Sequence, residues 1–380
     1  MSCAYELLKQ GSGRIVLFDK YNPASGTTGG SAGVICLHDL GEIYACLTLL
    51  GYARIKDLVR NYQLQFQPWG YLKIAYEPGP LPQPKDAFYQ RYGAGTESIY
   101  RHEVLSREEV LQRFSWLRPE KVLGGVYYPN QGFIDPYGLV ALYERLLLET
   151  GRFELQRHNP VLQIRTQGER IETLITRKGS WQVDVVINAG GPWGNKIAHL
   201  AGCNIALTPQ RVQVCVATGF EDGVIQFPLT GLPKPVEGED VWCRGEMGGT
   251  LLFGQHHSQT KDGYTVDPDH FNRVNDHQYP EAVEGVIRNY WRLPKSVFLN
   301  GWCCVYGTTA DGLPIVSKDT RLENFYHTVG MNGHGITCHA GIAQMAAELV
   351  LRRNTSLDMS SVLENGKRLD FSVLDVGRFG

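Results

Sequence analysis

Residues able to take part in chemistry fall in a few short stretches that are far apart in the sequence. Asp19 ends an apolar run, Cys303 and Cys304 are neighbours, and His334 stands between two glycines. Runs of glycine and small polar residues lie at 21–35, 189–191 and 330–336. Backbone amides in such runs can approach a phosphate or a flat ring, and an acid that ends a strand binds the ribose of adenosine in dinucleotide sites. These residue types predict a site for a large nucleotide cofactor, with a flexible surface loop as the alternative interpretation of 21–35.

The first nineteen residues contain the elements that would position Asp19. The sequence predicts a helix over Ala4–Lys9 with an apolar face, a break at glycine, and a strand over 14–18. Helix, turn, strand and acid form the second half of a βαβ dinucleotide-binding unit. The first half, a strand running into G-x-G-x-x-G, is not seen, because the sequence begins at Met1 inside that helix.

Length, charge and cysteine content narrow the class of protein. The 380 residues can bury a sizeable core and favour two domains or one large composite. A formal net charge of -2 provides no field for nucleic acid or an anionic membrane, and no apolar run is long enough for a transmembrane segment. The nine cysteines are an odd number scattered along the chain, which is typical of reduced thiols. We therefore expect a cytoplasmic protein without a disulfide framework or a metal site.

Local signals predict further elements. Ser106 with Glu109 predicts a capping box, and Asp135 followed by Pro136 predicts the start of a leucine-rich helix. The other predicted elements are, in chain order, a helix over 42–61, a strand over 67–75, a buried strand over 183–187, a hairpin over 240–255 turned at Gly248-Gly249, and a helix over 337–351. The last helix would begin at the run 330–336, so its first amides favour electron-rich or anionic ligand atoms.

Taken together, these stretches resemble the D-amino-acid oxidase-like superfamily of FAD-dependent oxidoreductases, of the glycine oxidase and monomeric sarcosine oxidase type. The resemblance rests on the order and spacing of motifs along nearly the whole chain: the helix with Asp19, GGSAGVI, GFIDP, INAGGPW, TTADGLPIV, GMNGHGI and DVGRF. It implies an α/β fold, with an FAD-binding Rossmann-like domain of the glutathione-reductase type and an inserted antiparallel-sheet α+β substrate domain. The implied FAD-binding domain is discontinuous, over 1–61, 132–208 and 300–380, and the substrate domain covers 62–131 and 209–299.

The resemblance also assigns residues to the cofactor. Asp19 matches the acid that binds the adenosine ribose, and 333–336 matches the loop at the pyrimidine edge of the flavin, where a helix N-terminus would stabilise negative charge on the reduced ring. The full set implied to bind FAD is Asp19, Lys20, Thr28, Gly30, Ser31, Ala32, Gly33, Val161, Ala189, Gly190, Trp193, Cys304, Gly333, His334, Gly335 and Ile336.

Cys304 has a further implied role. Cys304 and Tyr306 stand in a run similar to the segment whose cysteine is linked covalently to the flavin in sarcosine oxidase-type members. Such a link needs a thiolate beside the ring, and the alternative is a small buried apolar residue. Cys303, one residue earlier on a strand, would point the other way.

The cations that hold a substrate carboxylate in the family are not found at their usual positions. Tyr306 occupies the position of the arginine and Thr337 that of the lysine, and these two residues are the candidates for contact with substrate. Arg211, Arg244 and Arg292 could replace the missing cation, but each is expected to be a surface charge.

The resemblance implies oxidation of a C–N bond in a small amine or amino acid, with hydride transfer to flavin N5, hydrolysis of the imine, and electrons passed to oxygen or to an electron carrier. Two alternatives stay open, a non-catalytic or truncated flavoprotein-like subunit and an FAD-dependent 2-hydroxy acid or glycerol-3-phosphate type dehydrogenase. The unseen first strand has three explanations: a start codon placed too far downstream, a truncated product, or replacement by another strand. If the sequence is complete, we expect poor retention of FAD.

Overall fold

The computed structural model describes residues 1–36, 41–79, 91, 97–218, 226–232, 240–246, 248–256, 265–292, 297–363 and 368–380. Its helices are α1 (Ser2–Lys9), α2 (Glu42–Tyr62), α3 (Arg107–Arg113), α4 (Pro136–Glu149), α5 (Gly194–Leu200), α6 (Tyr279–Tyr290) and α7 (Gly335–Arg352). Its strands are β1 (Ile15–Phe18), β2 (Val34–Ile35), β3 (Phe66–Gln67), β4 (Tyr71–Ala75), β5 (Glu103–Leu105), β6 (Gly124–Tyr128), β7 (Gly132–Ile134), β8 (Phe153–Gln156), β9 (Val161–Gln167), β10 (Arg170–Thr176), β11 (Gly179–Gln182), β12 (Val186–Asn188), β13 (Thr208–Thr218), β14 (Leu229–Leu232), β15 (Asp240–Glu246), β16 (Thr250–His256), β17 (Val297–Thr308), β18 (Ile315–Lys318), β19 (Phe325–Val329), β20 (Ser356–Asp358) and β21 (Arg368–Asp370). Among the helices within these ranges, none is both long enough and apolar enough to span a bilayer.

The two helix starts predicted from local signals are confirmed. At α3, Ser106 Oγ accepts a hydrogen bond from the Glu109 amide, and the Glu109 carboxylate accepts one from the Ser106 amide. At α4, Asp135 accepts from the amides of Tyr137 and Gly138, and Pro136 fills the first helical position. Both helices begin where side chains satisfy amides that lack partners inside the helix.

The part of the chain that begins with α1 is an α/β structure built on parallel strand pairs. β1 pairs in parallel with β8, and β12 pairs in parallel with β19, which also pairs with β18 in antiparallel fashion. α7 packs against α1 and α2 over an apolar core that includes Leu47, Leu50 and Met345. Because parallel strands are joined by crossovers that contain helices, this part has the predicted α/β character.

Strands β9, β10 and β11 form an antiparallel meander. Its turns lie at Gly168 (φ 57°) and Gly179 (φ 148°). The strand predicted over 183–187 is wrong at its start, since β12 begins at Val186. The Val183 amide donates to Glu172 O and Val185 is 42 % exposed, so the first half of this apolar run lies on the edge of the meander.

A mainly antiparallel sheet of eight strands has the order β17-β13-β16-β15-β14-β4-β6-β5. The hairpin predicted over 240–255 is confirmed as β15 and β16, with positive φ at Gly248 and Gly249. One face of the sheet is covered by α3 and α6, around a core that contains Phe253 and Trp291. The strands come from the segments assigned to the substrate domain, except that residues 300–308 of β17 and Thr208 of β13 belong to segments assigned to the FAD-binding domain. Parts of those segments lie outside the described residues, and the domain division stays a prediction.

The strand predicted over 67–75 is two strands instead of one. β3 pairs with β7, whereas β4 joins the eight-stranded sheet. Pro68 cannot donate to a ladder, and Gly70 has a φ of 86°, so the chain turns between the two strands. Gly70 leads β4 into contact with β6 and β14.

β17 contains a bulge at Gly301. Val214 of β13 lies opposite Trp302, and the next residue, Cys215, lies opposite Asn300, so Gly301 has no partner residue. A Cβ on Gly301 would lie 2.4 Å from Val214 O, and the Gly301 amide donates to Asn275 Oδ1 at 2.7 Å. Only glycine fits this position, and the extra residue fixes which side chains of the following segment face each side of the sheet.

Candidate functional site

The loop of small residues 27–33 lies directly against one face of β17. Trp302 Nε1 donates to Gly30 O at 2.9 Å, and the Cys304 thiol lies 3.6 Å from the same oxygen. A Cβ on Gly30 would be 2.8 Å from Cys304 Cβ, so this close approach requires glycine. The backbone of the loop at Gly30 therefore packs directly on the side chain of Cys304.

The loop has its own internal bonds. The Ser31 amide donates to Thr28 O, and Ser31 Oγ accepts from the Gly33 amide at 3.1 Å. Gly33 has a φ of 64°, and a Cβ there would lie 2.1 Å from Ile134 O. Ala32 lies between these two residues. The predicted segment 30–33 is therefore a turn that contacts β17 at Gly30 and β7 at Gly33.

The loop before α7 touches the same strand. The Asn332 amide donates to Gly307 O at 3.2 Å, and a Cβ on Gly333 would lie 2.7 Å from the ring of Tyr306. His334 packs edge-on against Tyr44, with ring centres 5.2 Å apart. This contact packs His334 against α2, and its predicted contact with FAD stays a prediction.

The helix that follows begins at Gly335, and none of the described side chains caps its N-terminus. The amides of its first turn, at Gly335 and Ile336, carry the positive end of the helix dipole. Thr337 is buried, and its hydroxyl donates to Val34 O at 2.9 Å. This bond ties α7 to β2, and the predicted contact of Thr337 with substrate stays a prediction.

The turn that follows β12 reaches β17 from another side. Gly191 has a φ of 54°, and its carbonyl oxygen would lie 3.2 Å from a Cβ on Gly307. Gly190 donates its amide to Asn188 Oδ1 at 3.2 Å, and Ala189 between them is exposed. Three glycine-bearing turns that are far apart in the sequence thus converge on the segment 302–307.

Asp19 and Lys20 lie beyond this turn, at the end of β1. Asp19 is half-buried and accepts a hydrogen bond from the Tyr21 amide at 2.8 Å. Lys20 Nζ lies 4.1 Å from the ring centre of Trp193, and both side chains bind Asp269. Asp19 is thereby connected to the turn 189–193 through its neighbour.

Asp269 is a residue that the sequence does not single out. Burial would raise the pKa of its carboxyl, but hydrogen bonds from Lys196, Lys20 and Trp193 outweigh this and lower that pKa. The carboxylate therefore stays charged and ties the end of β1 to the segment 265–270. Its partners are 73 or more positions away in the sequence, so no local signal marks it.

Val161 lies at the start of β9. It packs with Phe18 and Trp181 in an apolar cluster next to Asp19. The candidates therefore form two connected groups, one around Asp19 and one around Cys304. The turn 189–193 touches both.

The side chains of β17 alternate as predicted. Cys303 Sγ lies 3.1 Å from Val274 O and from an Arg211 guanidinium nitrogen, whereas Cys304 faces Gly30. Burial raises the pKa of Cys304 to about 12, and Cys303 adds to this shift. Burial also raises the pKa of the Tyr306 phenol. Both groups are therefore neutral near neutral pH, and Cys304 is a thiol.

The expectation that Arg211 and Arg244 are surface charges is wrong. Arg211 is 7 % exposed and Arg244 is 3 % exposed, whereas Arg292 is exposed as expected. Arg211 donates to Asn272 O and lies on the Cys303 side of the sheet. Both guanidinium groups bind backbone carbonyls and a carboxylate, Asp276 for Arg211 and Glu246 for Arg244, and these partners cannot be recognised from the sequence.

Arg244 lies on β15 beneath the ring of Phe133. Its guanidinium carbon is 4.1 Å from the ring centre, Nη1 donates to Gly245 O at 2.7 Å, and Nη2 binds Glu246 at 2.9 Å. Within the described part of the chain, nothing accepts a hydrogen bond from Arg244 Nε, which is buried. A buried donor without a partner is costly, so this nitrogen is suited to an acceptor on a ligand.

The residues present fit a flavin dinucleotide. An uncapped helix N-terminus suits the electron-rich edge of the ring, and Asp19 suits a ribose. At Gly191 a Cβ would meet no atom of the described residues within 4 Å, so among them the backbone of that turn is open to a ligand. FAD would be held by the 30–33 loop, the 189–193 turn and the start of α7.

Comparison with known proteins agrees with this fit. The family profile described as "FAD dependent oxidoreductase" (DAO) matches residues 1–349. Human mitochondrial dimethylglycine dehydrogenase is 25 % identical over 376 residues, which cover 94 % of this chain and 42 % of that protein. Monomeric sarcosine oxidase of Bacillus sp. (strain NS-129) is 23 % identical over 375 residues, covering 95 % of this chain and 92 % of that protein.

A solved structure shows the same fold. L-proline dehydrogenase from P. horikoshii superposes with a TM-score of 0.76 at 19 % identity, covering 100 % of this chain and 94 % of that one. The predicted fold class is thus confirmed, while the chain spans only 42 % of the length of the dimethylglycine dehydrogenase it matches. Because the profile covers residues 1–349 of 380, the chain belongs to the DAO family of FAD-dependent oxidoreductases.

Proposed function

We propose that this protein oxidises the C–N bond of a small amino acid whose nitrogen carries an alkyl group. The observation that carries the substrate class is the buried Arg244, with its unpartnered Nε. A charged guanidinium that is shielded from water binds a carboxylate with both geometric and electrostatic preference. The imine formed by oxidation would be hydrolysed to a carbonyl compound.

Contacts connect Arg244 to the start of α7. Arg244 packs on Phe133, and Phe133 lies opposite Val34 in the small sheet of β2 and β7. Val34 O accepts the Thr337 hydroxyl in the first turn of α7. A carboxylate held at Arg244 would therefore belong to a substrate that lies between the sheet and this helix N-terminus.

Cross-strand pairing places Arg244 on the sheet face that carries Cys304. Trp302 lies opposite Val214, Val214 opposite Gly254, and Gly254 opposite Trp242. Directly opposed residues share a face, and so do residues two apart on one strand. Arg244 is two residues from Trp242, and Cys304 is two residues from Trp302, so one face carries both.

The chemistry that bound FAD supplies is acceptance of a hydride from the carbon next to the nitrogen. The chain's own residues position the substrate and exclude water. Tyr306 offers a neutral phenol beside the 333–336 loop, and the amides of Gly335 and Ile336 provide a positive field at the same edge. Arg244 would fix the carboxylate and thereby orient the amine.

The names of the relatives support an alkylated nitrogen. Dimethylglycine, sarcosine and L-proline, which appear in the names of the three proteins compared, are all amino acids with an alkylated nitrogen. A small apolar group on nitrogen suits a site that includes Trp302 and Phe133.

The test is anaerobic bleaching of the bound flavin by a panel of compounds. The panel contains dimethylglycine, sarcosine, L-proline and glycine, each with the matching amine that lacks the carboxylate, together with glycerol 3-phosphate and a 2-hydroxy acid. We expect bleaching by the alkylated amino acids. Bleaching only by the hydroxy compounds would indicate C–O oxidation, and no bleaching by any compound in the panel would contradict the proposed substrate class. Oxygen uptake in air then separates an oxidase from a dehydrogenase.

Arg244 variants test the carboxylate partner. We expect Arg244→Lys and Arg244→Gln to raise KM for the amino acid by about tenfold to a hundredfold, and to change KM for the matching amine little. Arg292→Gln is the control, since Arg292 is exposed. An equal loss for the amino acid and the amine would contradict the role of Arg244.

A further inference from the structure

A buried line of polar side chains runs from β18 and β19 to the turn after β12. Asp319, His327 and Asn188 are 2 %, 0 % and 1 % exposed. His327 Nε2 lies 2.9 Å from Asp319 Oδ2, and His327 Nδ1 lies 3.2 Å from Asn188 Nδ2. Asn188 connects this line to the turn 189–193 through its contact with Gly190.

Asp319 fixes the proton on His327. Burial would raise the pKa of the Asp319 carboxyl, but hydrogen bonds from His327, the Arg321 amide and the Cys203 thiol outweigh this and lower that pKa to about 2. The carboxylate also accepts from the Leu322 amide at 3.0 Å. Because the carboxylate is an acceptor only, Nε2 of His327 must carry the proton that joins them.

The tautomer of His327 then fixes the amide of Asn188. With its proton on Nε2, His327 presents a lone pair on Nδ1, and only the NH₂ group of Asn188 can satisfy it. That NH₂ group also donates to Gly194 O at 2.8 Å. The Asn188 oxygen is left to accept from the Gly190 amide at 3.2 Å. One side chain thus binds both ends of the segment 190–194.

If the side-chain amide of Asn188 were rotated by 180°, its bonds to His327, Gly194 and Gly190 would all be lost. The rotation would place the NH₂ group against the Gly190 amide and the oxygen against both Gly194 O and the Nδ1 lone pair. A proton on Nδ1 would favour that inverted arrangement, so the turn depends on which nitrogen of His327 is protonated.

We propose that His327 is a positioning residue for FAD, because it holds Asn188 in the one orientation that shapes the turn Gly190–Gly194. This turn touches Gly307 of β17 and carries Trp193, which is linked to Lys20. His327 lies behind the turn and is itself fully buried, so its effect on the cofactor passes through Asn188. The proposal rests on FAD binding and is independent of the substrate.

The first measurement is the tautomer of His327 in the holoprotein, read from ¹⁵N resonances of labelled histidine rings. We expect a neutral ring with the proton on Nε2 and a bare Nδ1. In Asn188→Asp, a carboxylate replaces the donor, and we expect His327 to become protonated on both nitrogens. A wild-type ring protonated on Nδ1 would overturn the proposal.

The second measurement is the dissociation constant of FAD, followed by flavin fluorescence. His327→Gln can still donate to Asp319 and accept from Asn188, so we expect it to stay close to the wild-type value. We expect His327→Leu to weaken FAD by about tenfold or more, because it can do neither. His199→Leu is the control, since His199 is exposed and also contacts an asparagine, Asn204. Equal affinity of the Gln and Leu variants would overturn the proposal.

A variant that keeps His327 in place covers the case in which His327→Leu does not fold. Asn188→Ala retains the pair of His327 and Asp319 but removes the amide that holds Gly190 and Gly194. We expect it to weaken FAD by about tenfold while its far-ultraviolet circular dichroism stays that of the wild type. Unchanged FAD affinity in Asn188→Ala would contradict the proposal in the same way.

Discussion

The thiol of Cys304 lies 3.6 Å from the carbonyl oxygen of Gly30, although 274 positions of sequence separate the two residues. This contact joins the loop that follows β1 to the last strand of the large sheet. Trp302 reinforces it by donating to the same oxygen. The approach is possible because Gly30 has no side chain, so any side chain added at this position should disturb the contact.

Gly30→Ala should destabilise the protein and weaken FAD binding. The added methyl group would lie 2.8 Å from Cys304 Cβ, an atom that cannot move away without shifting β17. Overpacking of this kind costs about 1–3 kcal/mol. Thermal unfolding and the ratio of flavin to protein absorbance measure the two effects.

Gly13→Ala is the matched control for Gly30→Ala. Gly13 is exposed, and a Cβ there would meet none of the described atoms within 4 Å, so we expect little change in either measurement. Equal stability of the two variants would show that the loop is not packed on β17 as described.

The flavin should be released when the protein is precipitated with acid. Burial raises the pKa of Cys304 to about 12, so the thiolate needed for a covalent link is scarce near neutral pH. We expect flavin in the supernatant and none in the precipitate. Flavin retained in the precipitate, and lost in Cys304→Ala, would instead establish attachment through Cys304.

Breaking the buried ion pair of Glu6 and Arg54 by removing one partner should destabilise the protein. The two side chains are 3 % and 8 % exposed, and they join α1 to α2. Arg54→Met would leave the Glu6 carboxylate buried without its partner, so we expect a loss of about 3–5 kcal/mol in the free energy of unfolding. Urea denaturation measures this loss.

The double variant Glu6→Leu with Arg54→Met should recover most of that stability, because it removes both buried charges. A double variant that is less stable than Arg54→Met alone would show that the pair is worth more than its apolar replacement.

His339 should make stability depend on pH. Burial lowers the pKa of His339 to about 4 from 6.5, and the charge of Arg54 acts in the same direction. The folded state therefore binds fewer protons than the unfolded state, and stability that is full above pH 6.5 falls as the pH drops towards 4. We expect a loss of about 1–2 kcal/mol in the free energy of unfolding between about pH 7.5 and pH 5.

His339→Gln isolates this contribution. The ring of His339 bonds Ile336 O and the Tyr143 hydroxyl, and glutamine can keep such bonds without titrating. The variant should lose less stability than the wild type over the same pH range, whereas His199→Gln should behave as the wild type. Identical pH profiles for all three proteins would contradict the assignment.

Local signals in the sequence predict local structure well. The capping box of Ser106 and the cap by Asp135 are confirmed, since the groups that form them lie within three positions. The alternation that separates Cys303 from Cys304 is also confirmed, because it needs only the two-residue period of a strand.

Contacts between segments that are distant in the sequence could not be predicted from it. Asn188 and His327 are 139 positions apart, and no motif marks either residue as part of a pair. Arg244 is buried because Phe133, on another strand, stacks on it. The start of β12 at Val186 likewise depends on its pairing with Phe325. These positions are set by tertiary packing, which overrides the statistical preference of the residue type.

The bulge at Gly301 decides which face of the sheet each later side chain of β17 occupies. If Gly301 instead paired with Val214 in a regular ladder, the following residues would move by one position, and Cys303 and Val305 would occupy the side now taken by Cys304 and Tyr306. Which of the two neighbouring thiols faces Gly30 is thus settled three residues earlier, by a glycine that makes no contact with either sulfur in the bonds of this strand.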